Sequence, residues 1–149
     1  MQLEESAEGS ARERLGIVFI HGAGLNGTIW EEVASGLSVP CLSAEYPYRD
    51  GGMKARESLS LRTYSEHVVE HIEAWDVKRI VMVAHSLGGV VALQAAETLR
   101  DRVAGFIGVG AVIPACGGSF LSELPWPQRA VMRVVMRLLG TKPPESAIR

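Results

Sequence analysis

Along the chain, short continuous apolar runs alternate with stretches in which apolar residues return every third or fourth position, the pattern of strands interleaved with helices. The runs at 16–20, 39–44, 79–84 and 103–109 are rich in Val and Ile and are apolar enough to be buried on both faces of a parallel sheet. Between the first two, the spacing predicts a helix over 29–37, with Thr28-x-x-Glu31 as its capping box, Trp30, Val33 and Leu37 facing inward, and Pro40 just past its end. A second helix opens on the box Thr63-x-x-Glu66 and aligns Tyr64, Val68, Ile72 and Trp75. A third follows Ser86, and its Val90, Val91, Leu93, Ala95 and Ala96 leave few polar positions, as in a helix buried under other structure. The last is introduced by Pro125-Trp126-Pro127 and carries Arg129, Arg133 and Arg137 on one stripe; it ends near Leu139, before Gly140 and Pro143-Pro144. No repeat or low-complexity segment interrupts this order, and the class is α/β.

Composition narrows the picture in three ways. A chain of 149 residues with 47% hydrophobic side chains is one domain's worth and can bury a core. Its 15 basic and 17 acidic side chains give a net charge of −2 without a basic cluster, so there is no electrostatic footprint for nucleic acid. The N-terminal stretch through Arg14 is polar and lacks an apolar signal core, and no later run reaches membrane-spanning length; the chain reads as soluble and cytoplasmic. Two cysteines, Cys41 and Cys116, are too few for a disulfide framework, and reduced thiols are the default.

The chemistry concentrates in two places. Residues 81–89 read V-M-V-A-H-S-L-G-G, an apolar run that ends abruptly in a serine with small neighbours. A buried strand that turns sharply into a helix strains the residue at the bend, so positions two away need little side chain; Ala84 and Gly88 meet that need around Ser86, and Gly89 comes next. Upstream, the apolar run at 17–20 leads into His21-Gly22-Ala23-Gly24. In this order, each after a strand, the two stretches resemble the nucleophile elbow G-x-S-x-G and the H-G-x-G loop of the α/β-hydrolase family, with Ala84 in place of the first glycine.

The resemblance covers 15–114. It implies a three-layer α/β sandwich with a mostly parallel sheet, with both motifs at a switch point beyond the carboxyl ends of the strands. It also implies Ser86 as nucleophile and the backbone N–H groups of Ala23 and Leu87 as oxyanion hole, reinforced by the N-terminus of the helix after Ser86. His21, Gly22, Gly24, Ala84, His85, Gly88 and Gly89 would shape the site, with His21 structural beside the loop and the His85 side chain pointing away into packing. The substrate implied is a small-molecule carboxylic ester or related acyl compound, with no metal and no organic cofactor. A serine at this place, not an aspartate, argues against dehalogenase or epoxide hydrolase chemistry.

One part of the family pattern is missing. A serine hydroxyl needs a histidine to take its proton and a carboxylate to orient that histidine, and the family supplies them after the serine. No histidine follows Ser86, and the later acids Glu97, Asp101, Glu123 and Glu145 do not fall where a strand-end catalytic acid belongs. The expectation is therefore a truncated α/β-hydrolase fold: a flexible polar N-terminus over 1–14, the N-terminal half of the core over 15–113 and the start of a lid over 114–149. A sheet that stops at its fourth strand leaves an edge unpaired, which invites self-association or a complementing chain.

Other readings compete. A non-catalytic binding or interaction protein would keep the pocket and lose the base. Gly22-x-Gly24-x-x-Gly27 also spells a dinucleotide fingerprint, with Glu45 near the place of a ribose-binding acid, although a helix starting at Thr28 puts Gly27 in the loop. His67 and His71, one helical turn apart beside Glu70, could grip a metal, but two-point sites without a third ligand are usually a solvated face. Cys116 has no neighbouring pattern that would make it a nucleophile, so an inert thiol is expected. The arginine stripe could meet anionic lipid or substrate, and is more often the wet side of a lid helix.

Overall fold

The computed structural model describes residues 14–47, 60–116 and 125–139, with side chains of the last helix as far as 134. The N-terminal stretch before residue 14, Glu123, Gly140, Pro143-Pro144 and Glu145 lie outside the described residues. The first strand, β1 (Leu15–Ile20), shows why the sheet is covered on both sides. Val18 and Ile20 enter one apolar cluster, and Phe19, with Ile17 beside it, enters another. Successive side chains of a strand point to opposite faces, so these clusters are the two inner layers of a sandwich.

Strands β2 (Cys41–Ala44), β3 (Arg79–His85) and β4 (Val103–Val109) complete a sheet of order β2-β1-β3-β4. Every pairing in it is parallel. Strand β2 starts later than the sequence suggested, because Pro40 has no N–H to donate and gives only its carbonyl, to Ile17 N–H at 2.9 Å.

The helices lie on both faces. A 3-10 turn (Gly27–Trp30) and the short helix α1 (Glu31–Ser35) cover one, where Phe19 and Trp30 stack with ring centroids 5.0 Å apart. Helices α2 (Leu61–Glu73) and α3 (Gly88–Leu99) cover the other with Val68, Ile72, Val91, Ala92 and Ala95. The final helix, α4 (Trp126–Leu139), begins with the Arg129 N–H on the Pro125 carbonyl at 2.9 Å.

Two expectations about the helices are corrected. The first cap is Asn26, whose side chain accepts from Thr28 N–H, so winding starts before Thr28, with Gly27 as the first residue of the turn. That turn is 3-10, and its tighter winding shifts the phase of α1 and the residues after it: Trp30 stays buried, while Val33 and Leu37 are 51% and 39% exposed. The second helix opens at Ser60, which exchanges bonds with Thr63 in a reciprocal cap. Thr63 is thus the inner member of the box, and Glu66 instead pairs with Arg62 at 2.7 Å.

Arg102 fastens the far end of this layer. One guanidinium nitrogen, Nη2, donates to the carbonyls of Ile72, Trp75 and Val77, tying the chain just before β4 to the end of α2. Along β4 itself, Ile107 and Val109 are 53% and 44% exposed, and among the described residues no strand pairs with its outer edge.

Candidate active site

Strand order reverses between β1 and β3. The chain leaves β1 toward β2 across one face and leaves β3 toward β4 across the other, which opens a crevice beyond their carboxyl ends. The two sequence motifs meet there. Ser86 stands between the end of β3 and the start of α3 with φ +51°, a left-handed conformation that costs a non-glycine residue on the order of 1 kcal/mol. Its carbonyl accepts two N–H groups, from Gly89 and from Val112, each at 3.0 Å, so the bend is clamped from both α3 and the loop after β4. Leu87, the N-cap of α3, makes no side-chain cap bond.

The glycines around this bend mark close approaches. A Cβ on Gly22 would lie 3.0 Å from Ser86 Cβ and 2.9 Å from His85 Nδ1, so the glycine loop and the serine turn touch. A Cβ on Gly88 would sit 2.6 Å from the Ile20 carbonyl oxygen, and one on Gly89 would sit 2.6 Å from that of Val112. Gly24 has φ +74°, which suits a residue without a side chain. Ala84 is fully buried in the main cluster. Ala23, between Gly22 and Gly24, is half-buried.

His21 is 1% exposed. Its Nδ1 donates to the Gly22 carbonyl at 2.8 Å, its Nε2 faces Glu45 Oε2 at 3.4 Å, and its ring lies 4.3 Å from that of Tyr46. The Tyr46 hydroxyl donates to the His21 carbonyl at 2.6 Å. Burial raises the Tyr46 phenol above the ordinary tyrosine pKa, with smaller contributions from Tyr64 and the Glu45 carboxylate. The His85 side chain does not point away from the site: its Nδ1 edge packs on Gly22 and, buried there, has no hydrogen-bond partner.

Sequence reasoning missed the work of Glu45. Its Oε1 accepts the Gly27 N–H at 2.6 Å, and a Cβ on Gly27 would lie 2.6 Å from that same oxygen. Gly27 is therefore small to let a carboxylate approach its amide, which removes the structural basis of the dinucleotide reading. The available signal was position, since Glu45 directly follows the strand residue paired with Ile20 and so falls beside His21.

The remaining groups are dispersed. His67 and His71 stack edge to face at 4.4 Å, with Glu70 3.7 Å from His67 Nδ1. Among the described residues no group of three or more His, Cys, Asp or Glu side chains is placed to hold a metal ion. Cys41 is half-buried and Cys116 exposed, both as free thiols. No helix among the described residues is long and apolar enough to cross a membrane.

A parallel sheet with this strand order, a left-handed serine at a strand-to-helix bend and a glycine loop pressed against it define an α/β-hydrolase core, and comparison with known proteins agrees. Residues 17–147 match the model of the alpha/beta hydrolase family, and the chain belongs to that family. It is 28% identical over 112 residues to a carbendazim hydrolyzing esterase of Nocardioides sp. (strain SG-4G), covering 72% of this chain and 46% of that protein. It is 31% identical over 119 residues to a pimeloyl-[acyl-carrier protein] methyl ester esterase of Edwardsiella ictaluri, covering 74% of this chain and 40% of that one. An extracellular α/β-hydrolase from a Paenibacillus species has the same fold, with a TM-score of 0.74 at 24% identity over 85% of this chain and 53% of its own. The chain thus spans about half the length of the relatives it matches or less.

Proposed function

We propose that this chain is part of a serine hydrolase that cleaves small-molecule carboxylic esters or related acyl compounds. The observation that carries the reading is Ser86 held at φ +51° against the glycine loop. Ser86 Oγ attacks the acyl carbonyl, a base takes its proton, and the oxyanion is held by the backbone N–H groups of Ala23 and Leu87. The leaving alcohol departs with that proton, and water then releases the acyl group from the serine. Each oxyanion donor of this kind is worth about 100- to 1,000-fold in rate, and the N-terminus of α3 adds a favourable dipole. The resemblance of the chain to esterases supports the substrate class. No metal or organic cofactor takes part in these steps.

The base and its carboxylate come from outside these 149 residues, since all four histidines precede Ser86 or adjoin it and His21 is committed to the glycine loop. We place residues 15–113 as the first half of the core and 114–149 as the start of a lid. The exposed edge of β4 is where a complementing chain or a second copy would add, and the cytoplasm is the compartment we assign. The missing base equally favours a second reading, a pocket-bearing interaction protein without catalysis.

Fluorophosphonate labelling separates the two. Labelling of Ser86 that is lost in Ser86→Ala, by the chain alone or mixed with a co-expressed downstream polypeptide, supports the hydrolase. Absence of such labelling in both preparations favours the interaction protein. The chain alone is expected to turn over p-nitrophenyl acetate no faster than Ser86→Ala, and brisk Ser86-dependent turnover by a monomer would refute an external base.

A further inference from the structure

Building on the proposed use of Ser86 and its glycine loop, we propose that Glu45 is the positioning residue of that loop, and that through His21 it sets the direction of the Ala23 N–H. Glu45 directly follows β2, whose Ala44 pairs with Ile20, so the register of the sheet delivers its side chain beside His21, where the loop starts. One carboxylate oxygen takes the Gly27 N–H at 2.6 Å, and the other lies 3.4 Å from His21 Nε2. A single side chain thereby bridges the first and last residues of the segment 21–27.

The loop needs such a brace. Its internal backbone bond, Leu25 N–H to the Gly22 carbonyl, is long at 3.4 Å, and Gly22 and Gly24 give the chain little stiffness of their own. The consequence reaches the oxyanion donor through covalent geometry. His21 Nδ1 donates to the Gly22 carbonyl at 2.8 Å, and that carbonyl shares a planar trans peptide with the Ala23 N–H, which must point the opposite way. Holding the imidazole therefore aims the amide. Tyr46 holds the preceding peptide by donating to the His21 carbonyl. The Glu45 side chain is 44% exposed, so its place is that of a clasp at the surface, not of a core residue.

The test compares wild type, Glu45→Ala, Glu45→Gln and Ser86→Ala in the full chain by amide hydrogen exchange and by the rate of fluorophosphonate labelling at Ser86. Glu45→Ala is expected to speed exchange at the bonded loop amides of Leu25 and Gly27 by about tenfold or more, the scale of one charge-assisted hydrogen bond. The Met82 and Val83 amides should stay unchanged, and labelling should slow by a comparable factor. Glu45→Gln keeps an oxygen for Gly27 N–H and offers an amide N–H to His21 Nε2, so it should restore most of both. Unchanged exchange at Leu25 and Gly27 in Glu45→Ala overturns the proposal. So does a loosened loop with an unchanged labelling rate, which would leave Glu45 serving the fold alone. Wild type labelling no faster than Ser86→Ala, both alone and with a co-expressed downstream polypeptide, instead sinks the serine-hydrolase reading, and the exchange data then decide by themselves whether Glu45 holds the loop.

Discussion

Replacing Gly88 with alanine sets two effects of opposite sign against each other at the start of α3. Alanine favours a helix over glycine by up to about 1 kcal/mol, and by less in the first turn. Against this, the new Cβ would stand 2.6 Å from the Ile20 carbonyl oxygen and 2.8 Å from that of His21, where ordinary contact begins near 3.4 Å. Both obstacles are main-chain atoms at the end of a paired strand, so no rotamer change clears them. Helix α3 must lift by about 0.8 Å, and overpacking of this kind costs about 1–3 kcal/mol. The clash wins, with a net loss of about 1–2 kcal/mol that lowers the urea midpoint by roughly 0.5–1 M. Gly105→Ala in β4 is the control, because its Cβ meets nothing nearer than Val81 Cγ2 at 3.7 Å. Reduced freedom of the unfolded chain should leave that variant as stable as wild type or up to about 1 kcal/mol more so. If Gly88→Ala unfolds at the same or higher urea than Gly105→Ala, the close passage of α3 over the end of β1 is not what requires a glycine.

The same geometry sets three further outcomes. Arg102→Met strips charge-assisted bonds from the carbonyls of Ile72, Trp75 and Val77 and should cost about 2–3 kcal/mol, read by calorimetry as a drop of roughly 5–10 °C in Tm. Arg100→Met, at an exposed residue, should stay within about 0.5 kcal/mol. Ser86→Gly relieves the left-handed strain and should gain on the order of 1 kcal/mol while abolishing fluorophosphonate labelling; a loss of stability would show the bend to be unstrained. Because burial raises the Tyr46 pKa above its unfolded value, its contribution is fully present below about pH 10 and is lost as pH climbs toward the folded pKa. Tyr46→Phe should therefore flatten the alkaline decline in stability, and an identical decline in both proteins would exclude Tyr46 as its source.

The parts of this molecule that were legible in its sequence are those set by local rules. Four apolar runs gave four parallel strands, because a strand buried on both faces has little choice of composition. The serine bend and the glycine loop were legible for a similar reason, since small residues at fixed offsets are a steric demand of the backbone. What failed depended on which of several polar side chains reaches a given amide. Asn26 and Ser60 out-competed the more C-terminal threonines as caps, and the 3-10 turn after Asn26 rotated Val33 outward. Glu45 entered only through the competing dinucleotide reading because its partners, His21 and Gly27, are distant in sequence and are brought together only by strand register. The orientation of His85 was misjudged because its neighbour Gly22 is distant in sequence and is folded against the end of β3 only in the structure.

The brace from the Val112 amide to the Ser86 carbonyl consists of main-chain atoms alone, and it joins the exit of the outermost strand to the most contorted residue in the crevice. The posture of the bend is thereby uncoupled from the side chains that follow β4. Side chains at Val112 and Ile113 can be exchanged for larger, smaller or more polar ones while the Ser86 carbonyl keeps both of its amide partners.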